Sequence, residues 1–219
     1  DEKKMSKSVY SIVLDDEIIN QIDILSNRQG TSRSNMINRI LARHVSVPTA
    51  ETMVNDVFKY IDEFIQRNSS LAVQPLGSGS LINMRSALKY KYKPTIKYTV
   101  ELFENGDYRG QMKVTMRSQN VTLINILNDF FNAWAASEVK HNGVYRQEFD
   151  ISDGRYTRLL RKIPHTGYRE YGKLIAKYAD LMDRCMKNFF EDYATSPTLA
   201  KRNTEKLYVA NITKDIVNL

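Results

Sequence analysis

Residues 7–45, KSVYSIVLDDEIINQIDILSNRQGTSRSNMINRILARHV, constrain this chain more than any other stretch. From Lys7 to Leu14 the side chains alternate. Tyr10, Ile12 and Leu14 share one face, and Lys7, Val9, Ser11 and Val13 share the other. That period of two predicts a short strand over 7–14. Asp15 or Asp16 suits the N-cap of a following helix, because a short carboxylate accepts hydrogen bonds from free N–H groups. Ile18, Ile19, Ile22 and Leu25 then recur at helical spacing. Gly30 fits the left-handed residue that ends a helix. Ser32 is a second N-cap candidate, and Met36, Ile37, Ile40 and Leu41 form a second apolar stripe.

A strand, a helix and a helix of this size cannot stand alone. One strand has no partner for its N–H and C=O groups, and two short helices cannot enclose a core. A second copy of the chain repairs both faults. Two strands pair antiparallel, and four helices close over the shared apolar face. The opposite strand face then lies on the outside of a two-stranded ribbon, a shape that fits the DNA major groove.

The strand, Leu14-Asp15-Asp16-Glu17, the Ile/Leu helix, Gly30, and Ser32-Arg33-Ser34 opening an apolar helix together resemble the ribbon-helix-helix family of dimeric DNA-binding proteins. The resemblance covers about 40 residues and no part of 51–219. It implies base contacts from the outward strand residues, here Lys7, Val9, Ser11 and Val13. It also implies phosphate clamping where the second helix begins, at Ser32, Arg33, Ser34 and Asn35, since a helix N-terminus attracts anions. Two of the four outward residues are valine, where the family often has a polar side chain. A valine touches a thymine methyl but reads no donor or acceptor, so readout would rest on Ser11, Lys7 and DNA shape.

The 219 residues divide on this reading into a ribbon-helix-helix unit, 1–47, and a second domain, 48–219, with Ser46-Val47-Pro48-Thr49 as the boundary. The net charge is +7. Residues 1–50 hold 7 Lys and Arg against 6 Asp and Glu, and 51–219 hold 25 against 19, so the second domain carries most of the positive field. Its helices are expected over about 50–68, 120–139 and 168–193. Residues 144–151 are expected as a strand with Tyr145, Phe149 and Ile151 inward. Residues 155–163 are expected as a short helix with Arg155, Arg158, Arg161 and Lys162 on its wet side. The tail from Thr195 reads equally as helix or extended chain.

Three strands are expected over 82–92, 96–103 and 108–117. Asn105-Gly106 suggests a two-residue hairpin, but that register would oppose Tyr98 to Lys113 and mix the faces. A three-residue loop pairs Tyr98 with Met112 and Leu102 with Tyr108 and keeps one apolar face, so the hydrophobic match decides. The other face then gathers Arg85, Lys89, Lys91, Lys93, Lys97, Arg109, Lys113 and Arg117, with Glu101 the one acid on these strands. Neighbouring like charges repel, which marks this face as an accessory contact for phosphate. The fold class expected for the whole is α+β, an antiparallel sheet of about 82–117 covered by helices behind the N-terminal unit.

Chemistry is sparse. His44, His141 and His165 lie far apart, and none has a His or Cys at metal-ligand spacing. Cys185, the single cysteine, falls in an apolar helical stripe and permits no intrachain disulfide. Neither a nucleophile elbow nor a phosphate loop occurs. The sequence therefore predicts no catalysis, no metal and no cofactor. It predicts a homodimer whose partner is double-stranded DNA, and leaves open whether dimers form a higher oligomer on DNA. No signal peptide or apolar run long enough to span a membrane is seen, so the expectation is a cytoplasmic protein on nucleoid or plasmid. The leading function is a transcriptional regulator. A plasmid partition or relaxosome accessory protein is the alternative within that class, and a scaffolding module without DNA binding is the alternative outside it.

Overall fold

The computed structural model describes residues 8–47, 49–74, 79–90, 93–212, 216 and 218–219. Among them are six α-helices and one six-stranded antiparallel sheet, an α+β chain whose two compact units are residues 1–49 and 50–219. No helix among the described residues is long and apolar enough to cross a membrane.

The first unit is a pair of helices, α1 (Asp16–Arg28) and α2 (Arg33–His44). Asp15 holds the N-cap position of α1 in extended conformation, but its carboxylate makes no capping bond. Asp16 and Glu17 instead sit in the first turn, where their charge opposes the helix dipole. Gly30, at φ 58°, ends α1 while the Thr31 N–H reaches back to Ser26 O at 3.0 Å. Ser32 caps α2 by accepting from the Asn35 N–H at 3.3 Å. Ser46, at φ 55°, closes α2 the same way, with the Val47 N–H on Ala42 O at 2.9 Å. Residues 8–14 form no strand here, and no described backbone group pairs with them. A ladder needs two extended segments side by side, and among the described residues this unit has one.

In the second unit α3 (Ala50–Asn68) leads into β1 (Ala72–Val73), β2 (Leu81–Ala87), β3 (Thr95–Leu102) and β4 (Tyr108–Met116). Then come α4 (Val121–Asn142), β5 (Phe149–Ser152), β6 (Arg155–Arg161), α5 (Tyr168–Tyr193) and α6 (Pro197–Asn211). The sheet order is β1-β2-β3-β4-β6-β5. Alternate residues point to one face, and there Met84, Tyr98, Val100, Met112, Val114, Tyr156 and Leu160 are fully buried. Leu127, Phe130, Phe131 and Trp134 of α4 and the apolar side of α5 complete that core. Gly172 lets α5 approach α3, since a Cβ there would stand 2.6 Å from Val57 O.

Several expectations need correction. The strand expected over 82–92 stops at Ala87. The chain then turns, with the Leu88 N–H on Pro94 O at 3.0 Å and Lys93 at φ 44°. The β3–β4 register pairs Tyr98 with Val114, Val100 with Met112 and Leu102 with Gly110. This is two residues beyond the expected register, so every face is kept and the loop is longer. Gly110, not Tyr108, faces Leu102, and an irregularity in the β4–β6 pairing lies between Tyr108 and Gly110. Residues 155–161 are strand β6, not helix, because Tyr156 and Leu160 fill the sheet's inner face at a period of two. Tyr145 is exposed, and of the strand expected over 144–151 only 149–151 pairs, continuing to Ser152.

The helix error hid a buried charge. Arg158 of β6 and Glu138 of α4 are 3 % and 1 % exposed and stand 3.4 Å apart. The Tyr178 hydroxyl donates to Glu138 Oε1 at 2.9 Å, the Tyr156 hydroxyl donates to Oε2, and Trp134 Nε1–H donates to the Tyr178 oxygen at 3.1 Å. Burial pushes both tyrosine hydroxyls well above their ordinary pKa, with the Glu138 charge adding to the effect, so both stay protonated donors. One carboxylate thus ties α4, α5 and β6 together. At the other end of β6, Arg161 forks onto Glu148 at 2.6 and 2.5 Å.

Two stability outcomes follow. A Cβ on Gly110 would overlap Glu101 O of the neighbouring strand, so Gly110→Ala should lower the thermal midpoint through an overpacking cost of about 1–3 kcal/mol or more. Glu138→Ala strands Arg158 in the core and should cost about 3–5 kcal/mol in urea unfolding. Lys140→Ala, two residues on and exposed, should barely move the midpoint.

Candidate nucleic-acid interface

The residues expected to read bases sit in the extended approach to α1. Val9 and Val13 are 99 % and 101 % exposed, and Ser11 is exposed between them. The opposite face is also open, but less so toward the helix: Tyr10 is 82 % and Ile12 58 % exposed, and Leu14 is half-buried. Only Leu14, next to the helix, is half-buried, and no ladder forms. Lys7 lies outside the described residues.

The helix pair buries little. Ile22, Met36 and Ala42 are its buried apolar side chains. On the two apolar stripes Ile18, Leu25, Ile40 and Leu41 remain 37–52 % exposed, and Val45 and Val47 follow them at the end of α2. Of the large apolar side chains that stay exposed among the described residues, most belong to this short unit, and fewer to the larger second unit.

At the start of α2, Ser32, Arg33, Ser34 and Asn35 are all exposed. The Asn35 N–H is used by the Ser32 cap, and the N–H groups of Arg33 and Ser34 have no acceptor within the helix. The Arg33 side chain, although exposed, is already paired. Its guanidinium forks onto the Asp23 carboxylate of α1 at 2.7 and 2.6 Å, which holds the Asp23 carboxyl below the usual range. Arg33 therefore locks α1 to α2, and an anion at this helix start would meet backbone N–H groups first.

The expected basic sheet face is only partly a face. Cross-strand pairing runs one row through Arg85, Lys97, Thr115, Arg155 and Ser152 on successive strands. The next row holds Asn83, Thr99, Lys113, Thr157 and Asp150, and the third holds Leu81, Glu101, Gln111 and Leu159. Glu101 draws Lys113 to 4.0 Å and accepts from Gln111 at 2.6 Å. Charge is thus graded along the strands. The cation row lies at the end where Lys89 and Lys93 sit in the β2–β3 turn and Arg117 follows β4, all three exposed. Asp153, in the β5–β6 turn, is the acid nearest that end in sequence. The opposite end carries Glu101, Glu104 and Asp107. Arg109 belongs there too, half-buried with its guanidinium 5.4 Å from the Tyr168 ring centre. Lys91 lies outside the described residues.

Arg155 is the residue that sequence reasoning placed on the wrong element. Its signal was Asp153-Gly154, which forms the two-residue β5–β6 loop, with Ser152 opposite Arg155 and Gly154 at φ 70°. Among the described residues Arg85, Lys97 and Arg155 have no ion-pair partner, although Arg85 stands directly across from Lys97.

Tyr171 is buried and donates to Arg161 O at 3.0 Å, and the Tyr168 hydroxyl meets Met53 Sδ at 2.7 Å. Burial pushes the Cys185 thiol up to about 12. Among the described residues no group of three or more His, Cys, Asp or Glu side chains is placed to hold a metal ion. No family model, curated protein or solved structure matches the chain.

Proposed function

We propose that this chain is a dimeric, sequence-specific double-stranded DNA-binding protein, a transcriptional regulator that inserts a two-stranded ribbon into the major groove. The observation that carries this reading is the uncovered apolar surface of residues 8–47. Two amphipathic helices present stripes that one chain leaves open, beside an extended segment with unpaired backbone groups among the described residues. A second copy would cover the stripes and supply the missing strand together. Fully burying a half-exposed Ile or Leu gains about 1 kcal/mol. Several such residues in each of two chains reach the order of the about 4–15 kcal/mol that association costs.

In that dimer Tyr10, Ile12 and Leu14 turn inward, and Val9, Ser11 and Val13 turn to the base edges. Valines give apolar contact with thymine methyls, and the Ser11 hydroxyl gives the hydrogen bond. The free N–H groups of Arg33 and Ser34 point their dipoles at a flanking phosphate. Symmetry makes the target a pair of half-sites.

Leu41 decides the dimer, because it is 52 % exposed in the single chain. If no partner covers it, Leu41→Lys is nearly neutral. The expected result in sedimentation equilibrium is a dimer for the parent chain and a monomer for Leu41→Lys. Val9→Asp with Ser11→Ala should stay dimeric and lose the sites selected from a random DNA library, while retaining its thermal midpoint. A parent chain that is monomeric at micromolar concentration, or selection that yields no preferred sequence at low salt, sinks the reading.

A further inference from the structure

We propose that the outer sheet face of the second unit, at its cationic end, seats the sugar–phosphate backbone of duplex DNA without regard to sequence. The inference rests on residues 50–219 alone and holds whatever the N-terminal segment does.

The row Arg85–Lys97–Thr115–Arg155–Ser152 crosses five strands and contains no acid. Strands in a sheet lie about 4.8 Å apart, so Arg85 and Arg155 are separated by roughly 14 Å. Phosphates on one DNA strand recur every ~3.4 Å along the axis, so the row spans about four of them. Arg155 stands between the hydroxyls of Thr115 and Ser152, and cations and hydroxyls alike donate to phosphate oxygens. The guanidinium forks of Arg85 and Arg155 match a phosphate's paired oxygens. For the fold by itself the arrangement is adverse. Arg85 opposite Lys97 is a repulsive cross-strand pair, and among the described residues neither has an acid to offset it.

The face also indicates which nucleic acid fits. Single strands are held chiefly by stacking bases on exposed aromatic rings. In the two rows nearest the cationic end, the outward positions of β2, β3, β4 and β6 carry no aromatic residue. What remains is a donor-rich, cationic surface suited to a backbone whose bases are already stacked inside a duplex. The acidic far end, with Glu101, Glu104 and Asp107, confines the contact to one half of the sheet.

The test uses the full chain and a labelled random-sequence duplex, followed by fluorescence anisotropy across a salt series. Arg85→Gln, Lys97→Gln and Arg155→Gln combined should weaken binding and reduce the slope of log K against log salt by about 2 to 3. Lys59→Gln, Lys201→Gln and Lys206→Gln, exposed positions on α3 and α6, remove the same charge and should leave the slope unchanged. Arg85→Lys with Arg155→Lys should retain most of it. An unchanged slope in the first triple, or an equal loss in both triples, overturns the proposal. So does displacement of the duplex by single-stranded DNA or polyglutamate at concentrations below those of unlabelled duplex. Val9→Asp with Ser11→Ala serves as the separating control. If the ribbon reading fails, that variant still binds like the parent, and the sheet triple still loses its slope.

Discussion

An apolar face has to be covered, and the two units of this chain meet that requirement differently. In residues 50–219 the alternating side chains of β2, β3, β4 and β6 lie under α4 and α5, and Tyr98, Met112, Val114 and Trp134 lose all contact with water. The strands are held in register by that burial, and the opposite face is left as an uncovered polar surface. In residues 8–47 the same patterning closes over only Ile22, Met36 and Ala42. A helix of 13 residues against one of 12 has too little area to bury two stripes. The contrast lies in what each amphipathic element finds beside it, not in the quality of the local signals.

The buried Glu138 shows how much a sheet-and-helix core can depend on one polar atom set. Its two oxygens receive Tyr156, Tyr178 and Arg158 from two other elements. Removing one member leaves the others desolvated and unpaired, so the group acts as a unit. It specifies which turn of α4 meets which residue of β6, something apolar packing by itself leaves looser.

Local signals were legible in the sequence. The spacing predicted α5 over 168–193 and the structure has Tyr168–Tyr193. Gly30 and Ser32 punctuate α1 and α2 as their chemistry requires. Pairing between distant strands was harder. Asn105-Gly106 and Asp153-Gly154 are equivalent as dipeptides, yet only the second makes a two-residue loop. The difference is set by partners: β6 closes directly onto β5, while the β3–β4 register answers to β2 and β6 on either side. The segment RYTRLLR fits both a helical and a strand period, and only the inner face of the sheet chooses between them. Because Arg155 and Arg158 were assigned to one helix surface, the outward member of the cation row and the inward partner of Glu138 were both missed. The basic face was legible as composition, but its grading from Arg85 to Glu101 needed the cross-strand rows.

The Arg33–Asp23 fork has a consequence for how an anion would be held at α2. With the guanidinium already neutralised by a carboxylate of α1, the helix start offers oriented peptide dipoles and almost no net charge. Attraction of that kind releases few condensed counterions. A phosphate gripped there would respond to salt less steeply than one resting on the Arg85 guanidinium, which would be let go as salt rises.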